Sequence, residues 1–264
     1  ETTWVGDLIR EERRVRSRWH SYVYWRARPF QGAHVNVDAD GIRRTTPSSP
    51  GSVPTDRPLR IFVFGGSTLW GSGARDAFTI PSIMSRRLHA EGVAATVVNM
   101  GAVGYVSTQE VIGLLLRLQK GDVPDLVVFY DGVNDTYSAF QQRIAGLPHN
   151  EFNRAVEFNL ARPSHFWRRA QLVLGDVADR LSSVRLLRSL VGATTQDPPI
   201  GVRPPVLEHL ASTDDGDLPS AVIVRYRGSV ELAKAWAAHY GVRAVFYWQA
   251  TLFATPGLRA YGPR

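Results

Sequence analysis

Arg60-Ile61-Phe62-Val63-Phe64-Gly65-Gly66-Ser67 is the stretch from which the fold can be read. Four consecutive apolar residues stopped by two glycines and a serine form a run too short for a buried helix. They suit a strand covered on both faces. Working outward, residues 96–99, 126–130 and 243–248 repeat the pattern, each bounded by Gly, Pro, Asn or Asp. Helical spacing fills the intervals. Ile80, Ile83, Met84 and Leu88 precede a stop at Gly92; Ser107-Thr108-Gln109-Glu110 fits a capping box ahead of Val111, Leu114, Leu115 and Leu118, with Gly121 as the stop. Tyr226, Val230, Ala233, Ala237 and Tyr240 line a face closed by Gly241. Strands alternating with such helices are βαβ units, so the expected class is α/β with a parallel sheet.

Residues 1–57 read as a separate N-terminal extension and linker: a charged run at 10–16, the aromatics Tyr22, Tyr24, Trp25 and Phe30, then a Pro/Ser/Thr-rich stretch at 45–58 with loop chemistry. The α/β domain then occupies 58–264. Within it, about 150–213 breaks the alternation with amphipathic patterns such as Phe166, Ala170, Val173 and Leu174. Two readings stay open there, an inserted helical subdomain or lid and ordinary helices covering the sheet.

With 264 residues and 44% hydrophobic content the chain can bury a large core. No run approaches the roughly 18 apolar residues of a membrane span. The chain opens on Glu1 rather than Met, and we expect a segment upstream. Membrane attachment through such a segment, as in a bacterial cell-envelope protein, stays open, and so does localisation. The net charge of +7 rests on arginine, since Lys120 and Lys234 are the two lysines; no nucleic-acid partner is expected. Zero cysteines exclude disulfides, thiolate metal sites and a cysteine nucleophile. No cluster of metal-ligating residues stands out, so neither a metal nor another cofactor is expected.

In an open parallel sheet, ligands bind beyond the carboxyl ends of the strands. Gly65-Gly66-Ser67, then the turn from Asn99 to Gly104, then Gly132-Val133-Asn134-Asp135 follow three successive strands at that edge. A Gly-X-Ser, an Asn-X-X-X-X-Gly and a Gly-X-Asn-Asp turn in this order resemble the blocks of the SGNH/GDSL hydrolase family. Gly66 stands where that family usually has Asp. A Gly-Gly-Ser first block is also similar to a group of bacterial SGNH proteins with an N-terminal extension like residues 25–45. The blocks cover residues 60–140, about a third of the chain.

The resemblance implies a three-layer α/β/α sandwich with a flavodoxin-like sheet and a serine esterase or acyl hydrolase acting on an ester, such as an O-acyl glycan or lipid. It implies Ser67 as nucleophile, and an oxyanion hole from the Ser67 and Gly104 N–H groups and the Asn134 side-chain amide. A serine hydroxyl needs a base as it attacks, and the oxyanion it creates needs preorganised donors. The family takes its base from Asp-X-X-His near the C-terminus, and no Asp-X-X-His occurs in residues 1–264. We therefore expect a last strand and helix, with the base, beyond Arg264. Of the seven histidines, His89 and His239 fall at helix ends on the opposite sheet edge, and His149 follows the third strand on the correct side. A non-catalytic SGNH-like module binding a glycan or protein is the alternative. A nucleotide-binding domain is disfavoured, because neither Gly-X-Gly-X-X-Gly nor Gly-X-X-X-X-Gly-Lys is present.

Overall fold

The computed structural model describes residues 3–47, 57–160 and 217–249. The extension gives a helix, α1 (Thr3–Arg14), and four short strands, β1 (Ser17–His20), β2 (Tyr24–Ala27), β3 (Phe30–Gln31) and β4 (Asn36–Val37). The main sheet is built from β5 (Leu59–Gly65), β6 (Ala95–Asn99), β7 (Leu126–Asp131) and β8 (Arg243–Trp248). The helices are α2 (Ser67–Trp70), α3 (Ile80–Ala90), α4 (Ser107–Gln119), α5 (Val133–Gln142), α6 (Glu151–Leu160) and α7 (Leu218–His239). All four expected strands are present, each within one residue of its expected ends.

The strand order is β6-β5-β7-β8 and every pairing is parallel. In order of appearance this is 2-1-3-4, the flavodoxin-like arrangement. The chain reverses direction across the sheet after β6, so the switch point lies between β5 and β7. Side-chain alternation along β5 divides the core. Phe62 and Phe64 face Val111, Leu114, Leu118, Ala233 and Ala237 of α4 and α7, whereas Ile61 and Val63 face Met84 and Leu88 of α3. Helices thus cover both faces, giving three layers. Phe64, Phe129 and Phe246 stack across neighbouring strands at centroid separations of 5.1 and 5.0 Å. Each such pair is worth about 0.5–1.5 kcal/mol beyond its burial.

Ser107 does not cap α4: the cap is Val106, whose N–H donates to Gln109 Oε1, and Ser107 is already in the helix. Ser107 is drawn inward by a partner the sequence did not reveal, Asp135. Of the region expected to be an insertion at about 150–213, α6 is described and residues 161–213 lie outside the described residues. Among the described residues no helix is long and apolar enough to cross a membrane.

The extension packs on the sheet domain. Leu8, Val35 and Val37 share a core with Trp70, and Val23 shares another with Ala102 and Tyr105. The backbone of Arg43 bridges Val37 on one side and Asn99, at the end of β6, on the other.

Candidate active site

Each of the three sequence blocks lies just past the carboxyl end of its strand. Ser67 opens α2, a single turn whose N-cap is Gly66. Ser67 is half-buried, and among the described residues its hydroxyl makes no hydrogen bond. It is therefore not the helix N-cap that a serine in a βα turn often is.

Asn134 sits in the first turn of α5, on the neighbouring strand's loop. Its Nδ2 donates to the Tyr105 carbonyl at 2.7 Å, leaving the second amide proton uncommitted. A Cβ built on Gly66 would stand 2.3 Å from that same Nδ2 and 3.7 Å from the Tyr105 carbonyl oxygen. Gly66, Tyr105 and Asn134 are thus in one another's contact shell, and their chain neighbours Ser67 and Gly104 flank them. Gly104 has φ +78, a left-handed conformation that favours glycine. Neither the Ser67 nor the Gly104 N–H donates to a protein acceptor among the described residues. Two free N–H groups, one amide proton and one free hydroxyl thus collect at the switch point. These groups are free to donate to a bound oxygen.

No protein-family profile and no curated protein sequence matches the chain. Among solved structures it is similar to AlinE4, described as an SGNH-hydrolase family esterase, at 16% identity over 80% of this chain and 86% of that one, with a TM-score of 0.34. TesA is similar at 19% identity over 66% of this chain and 99% of that one, with a TM-score of 0.29. LAE5, an alpha/beta hydrolase enzyme from the metagenome of Lake Arreo, is similar at 16% identity over 70% and 75%, TM-score 0.29. Identities and superpositions this low carry no argument about activity, and the residues must supply it.

Asp135 is buried and anchors the Asn134 turn. Its carboxylate accepts the Ser107 hydroxyl at 2.5 Å and the Ser107 N–H at 3.1 Å from each oxygen. Ser107 begins the helix after the Gly104 turn, so this contact ties the second block to the third. His149 lies against the turn, its Cδ2 3.6 Å from where a Gly104 Cβ would be. Its Nδ1 is 3.3 Å from Gln141 Oε1, a geometry in which Nδ1–H donates and Nε2 is left with its lone pair. Burial lowers its pKa, favouring the neutral ring. His89, in the last turn of α3, donates from Nε2 to the Ala95 carbonyl at 2.9 Å, while His239 ends α7; both lie at the opposite edge, as expected. His165 and His209 lie outside the described residues.

Beneath the site is an acidic pair that sequence reasoning missed. Glu110 is fully buried in α4 beside Asp131, the last residue of β7. No N–H or serine hydroxyl reaches either Glu110 oxygen among the described residues. Two carboxyl groups in contact form a hydrogen bond only when one carries a proton. Burial first, and then the Asp131 charge, push Glu110 well above the usual carboxylate range. Burial pushes Asp131 up to about 6, against the lowering effect of Glu110 and of the Tyr226 hydroxyl. Arg26, itself buried, supplies a positive field to Glu110. A signal was present in the sequence: an acid between apolar positions of α4 and another closing an apolar strand. The capping-box pattern of Ser107 to Glu110 masks it.

Proposed function

We propose that this chain carries the nucleophile and oxyanion donors of an ester hydrolase working through an acyl-enzyme. The substrate class is an O-acyl ester on a glycan or lipid. The observation that carries the reading is the convergence at one sheet edge of a serine hydroxyl free of hydrogen bonds with two unengaged backbone N–H groups and the Asn134 amide.

In that reading Ser67 Oγ attacks the carbonyl carbon and its proton passes to a base. The carbonyl oxygen becomes an oxyanion held by the Ser67 N–H, the Gly104 N–H and Asn134 Nδ2. Collapse of this intermediate expels the alcohol, which takes the proton. Water then attacks the acyl-enzyme by the same route and releases the acid. Each donor is worth about 10²–10³ in rate. The base is the open part, since no Asp-X-X-His lies within residues 1–264. Among the described residues His149 is the imidazole that adjoins the Gly104 turn.

A second reading is a non-catalytic module of the same fold that binds a glycan or a protein, and a full gene product that lacks Asp-X-X-His throughout would favour it. Hydrolysis of 4-nitrophenyl acetate by the full gene product separates the two. The hydrolase reading expects turnover that disappears in Ser67→Ala. Equal rates for the wild-type and Ser67→Ala proteins would leave the binding module standing.

A further inference from the structure

The single turn of α2 is too short to hold its own geometry, because a first helical turn fixes several dihedrals for very little hydrogen bonding. The loop directly after it, residues 71–74, folds its N–H groups back on the serine: Gly71 and Ser72 both donate to the Ser67 carbonyl, at 2.9 and 3.0 Å. The conformation of this loop and that of the Ser67 turn are therefore one problem. The N-terminal segment holds three further polar groups of this loop, the Gly71 and Ala74 carbonyls and the Gly73 N–H. Arg43 is 0% exposed. Its Nη1 donates to the carbonyls of Gly71 at 2.7 Å and Trp70 at 3.2 Å, and its Nη2 donates to that of Ala74. Its Nε pairs with Asp76 at 3.0 Å, and its guanidinium lies 4.4 Å from the Trp70 ring centroid. From α1, Glu12 Oε1 accepts the Gly73 N–H at 2.7 Å. Asp76 is in turn held by Asn36, whose Nδ2 donates to it at 2.9 Å.

From these contacts we infer that the N-terminal segment is a working part of the site: Arg43, assisted by Glu12, is a positioning residue that sets the conformation of the Ser67 turn. A planar guanidinium can serve a carboxylate and three carbonyls at once, which a lysine ammonium cannot. The assignment of Ser67 as nucleophile rests on the function proposed above, but the clamp itself does not.

The test uses the full gene product and two variants, Arg43→Lys and Glu12→Ala. Amide hydrogen exchange is read by mass spectrometry, and fluorophosphonate labelling of Ser67 is timed alongside. Arg43→Lys is expected to speed exchange across residues 70–74 by about tenfold or more while the strands of the main sheet keep their protection. Labelling should slow by about 10²-fold, as for a nucleophile misplaced by an ångström. Glu12 is only partly buried on α1, so Glu12→Ala folds, and it is expected to give a smaller change of the same kind. If Arg43→Lys does not fold, Glu12→Ala decides. Unchanged exchange at 70–74 in a folded variant overturns the clamp. Faster exchange with unchanged labelling overturns the positioning role. A wild-type protein that does not label removes the nucleophile assignment and leaves exchange to decide the clamp.

Discussion

The side-chain nitrogen of Asn134 occupies the space that a β-carbon on Gly66 would need, with 2.3 Å between the two positions. Glycine at position 66 is therefore the condition for Asn134 to lie over the Ser67 turn with its amide on the Tyr105 carbonyl. The backbone does not demand glycine here, since φ −80 and ψ −152 are open to any residue. Crowding, not conformation, sets the requirement.

Substituting Gly66 therefore tests the donor geometry. Gly66→Ala is expected to push the Asn134 amide away and lower kcat for an activated ester by about 10²-fold, the loss typical of one oxyanion donor. The KM should move little, because the donor acts on the charge that develops in the transition state. Gly66→Asp, which restores the residue usual in the resembled family, is expected to be at least as damaging. Steady-state kinetics on the two variants check both statements, and a Gly66→Asp protein as active as wild type would contradict them.

Gly104 responds differently. A Cβ there would make ordinary contacts, 3.5 Å from the Trp25 ring and 3.6 Å from that of His149, but φ +78 is a conformation other residues adopt at a cost of about 1 kcal/mol or more. Gly104→Ala should lower the melting temperature slightly and activity strongly, since the new methyl group crowds the approach to the Gly104 N–H. Comparison of melting temperature with kcat separates the two effects.

The Glu110–Asp131 pair makes stability depend on pH in a defined direction. Both groups titrate higher in the folded chain than in the unfolded one, Asp131 at about 6 against 3.8 and Glu110 well above 4.5. The folded state binds their protons more tightly, so their contribution is fully present below the unfolded values and is lost as pH rises through the folded ones. Asp135, also raised by burial, adds to the same trend, while Arg26 opposes it. Glu110→Gln keeps a donor for Asp131 without a proton to lose. Its melting temperature relative to wild type should rise steadily between about pH 4 and pH 8. A difference that shrinks over that range would contradict the raised titration of the pair.

The strands could be read from sequence because a buried parallel strand has no polar face, and runs such as 60–64 and 126–130 carry that signature in their composition alone. The three turns could be read because glycine, serine and asparagine have few reasons to follow three strands in succession. The features that escaped the sequence depend on long-range contact. Arg43 lies in a stretch rich in charge and turn residues, and its role depends on carbonyls about thirty positions later in the chain. Ser107 has every local mark of a helix cap, and its capture by Asp135 is decided across 28 residues.

The central claim is that Ser67 is a nucleophile framed by oxyanion donors, and its most direct test is covalent. The full gene product is treated with a fluorophosphonate and the adduct is located by peptide mass spectrometry. The expected result is one adduct on Ser67, absent in Ser67→Ala and formed about 10²-fold more slowly in Asn134→Ala. A folded protein that takes up no label on Ser67 at any pH between about 7.5 and 9, the range in which a histidine base is mostly neutral, would contradict it.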